Sequence, residues 1–202
     1  MVKPKLLCIA ALDSSGGAGL NQDMRVCSLL GEEHQSVCTG ITIQDDSGVV
    51  AVHPTADHIF AAQLDSVLAQ GAIPYVKIGA ICSATQIALL HAILKSRSDL
   101  TVIIDPVLRP TLGIPFIRED IVPQYLELLE HAHYLCPNYA ELAALSGIKV
   151  DSFDDALAAA KELITHHDIG ILVKGGHSDT PEIREAYISQ TELYSFSHPR
   201  YT

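Results

Sequence analysis

Basic residues are scarce in this chain: Lys and Arg number 13 against 24 Asp and Glu in 202 residues, a formal net charge of −11. The few cations form no local cluster. Duplex nucleic acid and anionic membrane surfaces, which are held by dense positive charge, are therefore not expected partners. No apolar run approaches the roughly 20 residues that cross a bilayer. The short apolar stretch at 6–12 breaks at Asp13 without a cleavage-like sequence, so it reads as a first strand rather than a signal peptide. Cysteine pairs are missing too. Cys8, Cys27, Cys38, Cys82 and Cys136 are odd in number, scattered and without a C-x-x-C, as expected of reduced, buried thiols in a cytoplasmic protein. Neither G-x-G-x-x-G, nor the P-loop, nor G-x-S-x-G occurs, which removes support for the chemistries those motifs carry. Among the 10 histidines, His131-x-His133 and His166-His167 each lack a third metal ligand at sensible spacing.

Apolar material is plentiful, at 48% of residues with a mean hydropathy of +0.24. That excludes disorder and suits one domain over 1–202, with no repeat or linker. Short apolar runs at 6–12, 37–43, 75–81, 101–107, 134–136 and 169–173 alternate with helical patterns at 20–30, 56–70, 84–95, 139–146 and 153–166. Near-continuous hydrophobicity marks strands covered on both faces. Ser83, Asn138 and Ser152 stand where N-caps belong, Thr55 is a candidate for another, and Gly31, Gly71 and Gly147 stand where helices stop. Pro123 breaks or starts a helix near 121–131. A strand at 49–52 and a terminal strand pair within 185–197 complete the reading. Repeated βα units predict an α/β fold with a mostly parallel central sheet and helices on both faces. Ligands in such sheets bind beyond the carboxyl ends of the strands. The polar residues there are those from Asp13 to Gly19, then Gln44, Lys77, Asp105, Asn138 and Lys174.

Each of these has a plain and a functional reading. The run Asp13-Ser14-Ser15-Gly16-Gly17-Ala18-Gly19 follows a strand and opens a helix. It is either a simple turn or a loop whose backbone, at Gly16, Gly17, Ala18 and Gly19, approaches a ligand closely. Asp23 is expected in the first helical turn, suiting the dipole or accepting a hydrogen bond from a substrate hydroxyl or amine. Gln44, with one acceptor and two donors, suits the edge of a heterocycle. Asp105 ends a buried strand, where an acid needs a cation or a donor; Mg²⁺ is the natural cation where phosphates are handled. Asn138 and Glu141 share a helix face and also fit an N-cap with its N3 partner. Lys174, followed by Gly175-Gly176-His177, supplies a point charge for a phosphate, or is a solvated strand end.

The order of these pieces is more specific than any one. The run 10–23, ALDSSGGAGLNQD from Ala11 onward, resembles the amino-terminal signature of hydroxymethylpyrimidine/phosphomethylpyrimidine kinases of thiamine biosynthesis, in the ribokinase-like superfamily. The resemblance continues through Thr42-Ile43-Gln44-Asp45, Ala61-Ala62-Gln63-Leu64, Val76-Lys77-Ile78-Gly79, Ile104-Asp105-Pro106-Val107, Pro137-Asn138-Tyr139-Ala140-Glu141 and Val173-Lys174-Gly175-Gly176-His177. It implies a three-layer αβα domain that phosphorylates an aminopyrimidine alcohol and then its monophosphate with ATP and Mg²⁺, often as a homodimer. It further implies that Gln44 reads the pyrimidine and that Asp23 and the Gly16–Gly19 loop lie at the substrate end. Asp105 and Glu141 would serve Mg²⁺, and Asn138 and Lys174 the nucleotide and phosphates. Three departures stand out. Ala80 replaces a frequent methionine, and the loop 108–113 differs, leaving Arg109 as a substitute phosphate contact. The family's Gly-Thr-Gly-Cys anion-hole motif is expected beyond Thr202, which would make the chain incomplete and place its catalytic residues outside it. The alternatives are a pyridoxal-type vitamin kinase, or a non-catalytic pyrimidine-binding module.

Overall fold

The computed structural model describes residues 5–45, 48–71, 73–110, 112–176 and 182–200. They fall into two compact units, Met1–His131 and Ala132–Thr202.

The first unit contains β1 (Leu6–Asp13), α1 (Gly19–Leu30), β2 (His34–Asp45), β3 (Gly48–Pro54), α2 (Asp57–Leu68), β4 (Tyr75–Ile78), α3 (Ala84–Lys95), β5 (Thr101–Ile104) and α4 (Val122–Leu129). Its strands run in the order β3-β2-β1-β4-β5. β1 lies parallel to both β2 and β4, and β4 parallel to β5. The interior position explains why β1 is apolar without alternation: Leu7, Cys8, Ile9, Ala10 and Ala11 are all buried. Each large aliphatic side chain so enclosed contributes about 1.5–3 kcal/mol of transfer free energy. Leu20 and Cys27 of α1 pack against Cys8 and Ala10. Pro123 occupies the first turn of α4, so it starts that helix rather than breaking it. α4 then packs on α3. Past its last turn, burial and, next, the neighbouring His91 draw the His131 imidazole below its ordinary range.

The second unit contains β6 (Tyr134–Leu135), α5 (Tyr139–Ser146), α6 (Phe153–His166), β7 (Gly170–Val173), β8 (Glu182–Ile188) and β9 (Leu193–Pro199), with its strands in that order. β6 and β7 are parallel; β8 pairs antiparallel with β7 and with β9. Ala156, Ala159, Ala160 and Leu163 form the buried face of α6. Arg184 of β8 lies 4.0 Å over the Phe153 ring, a cation–π contact.

The α/β class and the mostly parallel sheet stand: β1–β2, β1–β4, β4–β5 and β6–β7 pair parallel, while β2–β3, β7–β8 and β8–β9 pair antiparallel. The reason is local. The two residues between β2 and β3, and the short turn closed from Ser189 N–H to the Glu192 carbonyl at 2.9 Å, are too short for a parallel crossover. The caps at Ser83, Asn138 and Ser152 form, and Gly31 and Gly147 end their helices in the left-handed conformation. Thr55 and Gly71 do not serve as expected: α2 is bounded by Ala56 and Ala69.

All five cysteines are free, with Cys8, Cys27 and Cys82 buried. Burial, then the charge of Asp23, pushes the Cys8 thiol up to about 12, and burial pushes Cys82 up to about 11. Among the described residues no helix is long and apolar enough to cross a membrane.

Candidate active site

In the first unit, the loop after β1 is organised around one acid. Asp13 is 3% exposed, and its carboxylate accepts the Ser15 N–H and hydroxyl at 2.8 Å and the Ala18 N–H at 2.9 Å. Its carbonyl accepts from the Asn21 amide at 2.6 Å. These bonds curl residues 13–18 into a backbone cradle, and a buried carboxylate so satisfied is held in one geometry. Gly16 and Gly19 supply the positive φ values of 76° and 59° that the curl needs. A Cβ at Gly19 would also stand 2.3 Å from the Ala11 carbonyl oxygen, so only glycine fits. The N-cap of α1 is Ala18, which makes no side-chain cap, and the first-turn N–H groups are the donors a polar ligand end can use.

Gln44, near the end of β2, joins this cradle: its amide donates to the Ser15 hydroxyl at 3.3 Å. Two motifs 29 residues apart thus meet, and Ser15 relays between Gln44 and Asp13. Asp13 and Ser15 are the organising residues that single-motif reasoning passed over; their signal was the polar pair at the mouth of a mostly buried strand.

Asp23 needs a correction. Because α1 begins at Gly19, Asp23 is its fifth residue and lies past the first turn, so the dipole reading does not apply. Its carboxylate instead takes the Lys77 ammonium of β4, at 2.9 and 3.0 Å. The same ammonium lies 3.8 Å from Asp105, just after β5. Lys77, noted in the sequence only as a polar strand residue, therefore sits between two carboxylates on neighbouring elements. Arg109 is exposed and lies 3.7 Å from Glu119. Its loop is pinned to β3 by Val49, which donates to the Leu112 carbonyl at 2.9 Å and accepts from Ile114 at 3.0 Å. Ala80 is buried with Ala11 and Cys82. A shallow groove of about 430 Å³ lined by His58, Ile59, Gln63 and Val67 contains none of the candidate residues.

In the second unit, β6 and β7 end side by side, and the Lys174 N–H donates to the Pro137 carbonyl at 2.9 Å. This puts Asn138 and Lys174 opposite each other in a parallel bridge. Asn138 and Glu141 form a full capping box: the Asn138 side chain accepts from the Glu141 N–H at 2.9 Å, and the Glu141 carboxylate accepts from the Asn138 N–H at 2.8 Å. Glu141 is 4% exposed, and the Lys174 ammonium lies 4.0 Å from its carboxylate. The plain cap is therefore present, and it also fixes an acid and a lysine together at the strand ends. Close packing follows: a Cβ on Gly175 would lie 1.9 Å from the Arg184 carbonyl oxygen. His177 lies outside the described residues.

With this geometry in hand, comparison with known proteins is decisive. The family model for phosphomethylpyrimidine kinase matches residues 13–202. The chain belongs to the phosphomethylpyrimidine kinase family. It is 35% identical over 189 residues to the hydroxymethylpyrimidine/phosphomethylpyrimidine kinase of Rhizobium meliloti, covering 93% of this chain and 71% of that protein. It is 32% identical to a thiamine biosynthesis multifunctional protein of Corynebacterium efficiens, covering 99% of this chain and 27% of that much longer protein. A phosphomethylpyrimidine kinase crystal structure from Clostridium difficile superposes with a TM-score of 0.86 at 29% identity, over 96% of this chain and 84% of that one. A Staphylococcus aureus pyridoxal kinase in complex with pyridoxal reaches a TM-score of 0.89 at 23% identity, over 100% and 74% of the two chains. That likeness shows a shared fold.

Proposed function

We propose that this chain is a kinase that binds 4-amino-5-hydroxymethyl-2-methylpyrimidine or its monophosphate and directs the γ-phosphoryl group of ATP onto it, in the cytoplasm and as a homodimer. The observation that carries this is the bond from Gln44 to Ser15 within the Asp13 cradle, which joins the family's two substrate-end motifs in one place. In this reading Gln44 pairs with the pyrimidine edge, and the backbone from Gly16 to Gly19 lies against the substrate. Asp23, held by Lys77, accepts from a substrate hydroxyl or amine.

The donor chemistry fits Mg²⁺ and ATP. Asp105 offers a half-buried carboxylate at a strand end, the kind of oxygen ligand that holds Mg²⁺ through water. In the second unit, Glu141 offers a carboxylate of the same kind, fixed by its capping box. Lys174, brought opposite Asn138 by a parallel bridge, would supply a point charge to phosphate oxygens, and Asn138 an amide. When bound, Mg²⁺-ATP supplies the phosphoryl group and the neutralising charge that such transfers need. The chain's own residues position and orient: the Asp13 cradle sets the loop, the Lys77 ammonium holds the Asp23 carboxylate in place, and the capping box keeps Glu141 beside Lys174.

Thermal-shift titration tests the proposal. Hydroxymethylpyrimidine at about 100 times Kd should stabilise the chain by roughly 2.7 kcal/mol, a rise of about 5–10 °C. Gln44→Ala should weaken binding about tenfold or more, the loss of about 1.4 kcal/mol of polar recognition. No shift with the folded chain overturns the substrate assignment, and a larger shift with pyridoxal replaces it with a pyridoxal-type kinase. Binding without any ADP release in the presence of Mg²⁺-ATP would make it a binding module.

A further inference from the structure

Among the described residues, one group outside the candidate active site brings three metal-binding side chains together. His91 lies within α3, and Glu130 and His131 follow the last turn of α4; one ligand atom from each falls within 4.8 Å of the other two. The imidazole rings are 4.9 Å apart and tilted by 56°, so they converge rather than stack.

We propose that His91, Glu130 and His131 form a binding site for a divalent transition-metal ion of the zinc type, which ties the end of α4 to α3. Three observations carry the proposal beyond proximity. His91 Nδ1 lies 3.3 Å from the Glu127 carbonyl oxygen. A carbonyl only accepts, so the proton belongs on Nδ1 and the lone pair on Nε2, the arrangement that a backbone partner gives a metal-bound histidine. His131 Nε2 is buried without a hydrogen-bond partner, a costly state for a polar atom that a metal ion would relieve. The site also sits at a helix C-terminus, where unpaired carbonyls carry partial negative charge and favour a cation. Lys95 is the positive group acting on His131 from α3, and the Glu130 carboxylate opposes it. Two imidazoles and one carboxylate suit zinc, cobalt or nickel, leave a coordination position for water, and suit Mg²⁺ or Ca²⁺ poorly.

The test is titration of the chelator-stripped chain with Zn²⁺ and, as a spectroscopic probe, Co²⁺, both in excess Mg²⁺. Expected are one ion per chain, Co²⁺ ligand-field bands showing nitrogen ligation, and a Tm rise of about 5–10 °C at 100 times Kd. H91Q and E130Q, substitutions at half-buried and exposed positions, should each lower Zn²⁺ affinity tenfold or more while the metal-free Tm stays near that of the parent. H166Q, in the exposed pair with Glu162, should leave affinity unchanged. The proposal is overturned by absent Co²⁺ bands and Tm rise, by affinity that survives H91Q within about threefold, or by a loss that follows H166Q.

Discussion

The two units bring polar residues to the ends of buried strands by opposite means. In the first, the contacts are long-range: Gln44 reaches Ser15 across 29 positions, and Lys77 reaches Asp23 across 54. In the second, Asn138 and Glu141 bond across three positions within one helical turn, and only Lys174 comes from elsewhere. The first arrangement exists only when three strands and a helix are in register. The second is prepared by local helix chemistry, with the sheet adding one lysine.

Both units are most sensitive at a glycine. Gly175→Ala drives a Cβ into the Arg184 carbonyl, and Gly19→Ala combines a clash with Ala11 and a left-handed φ. Each should cost about 3 kcal/mol or more, seen in urea unfolding as a lowered midpoint. Next, Asp13→Ala strips the cradle of its acceptor and strands the N–H groups of Ser15 and Ala18, for about 2–3 kcal/mol. The matched change Asn138→Ala should cost only about 1 kcal/mol, as a lost N-cap does. Equal losses at these two positions would erase the distinction between a long-range and a local site. Lys77→Met removes the cation shared by Asp23 and Asp105 and should cost about 1.5–3 kcal/mol, read as a lowered urea midpoint. A separate effect appears only in alkali. Folding lifts the Cys8 thiol from 9.0 to about 12, so the folded chain holds that proton more tightly. Its contribution is complete below pH 9 and is lost as pH rises from 9 to 12; Cys8→Ala should flatten the fall of Tm across that window.

The same contrast explains what could be read from the chain. The capping residues Asn138 and Ser152, the apolar run of β1 and the glycine loop are local patterns, and they stand where expected. Thr55 failed as a cap because α2 starts two residues later, at Asp57. Asp23 was misplaced by assuming a helix start after Gly19, when Gly19 itself is the first helical residue. Lys77 looked like one polar strand residue among several, since nothing in its neighbourhood announces two acids from α1 and the end of β5. The histidines looked ligand-poor because His91 lies in α3 and His131 after the end of α4, and only the packing of α3 on α4 joins them. The antiparallel pairing of β3 with β2 was legible in the sequence, where two residues between the strands are too few for a parallel crossover.

The central place of β1 has a consequence for synthesis. Leu6 pairs with His34 on one edge and with Tyr75 on the other. On a ribosome adding about 5–20 residues per second, the second partner arrives about 3–14 s after the strand itself. Through that interval a ribbon of β1 and β2 carries an open, apolar edge, the kind of template that recruits other nascent chains. The strand most enclosed in the finished first unit is thus the one for which translation speed and chaperone access matter most.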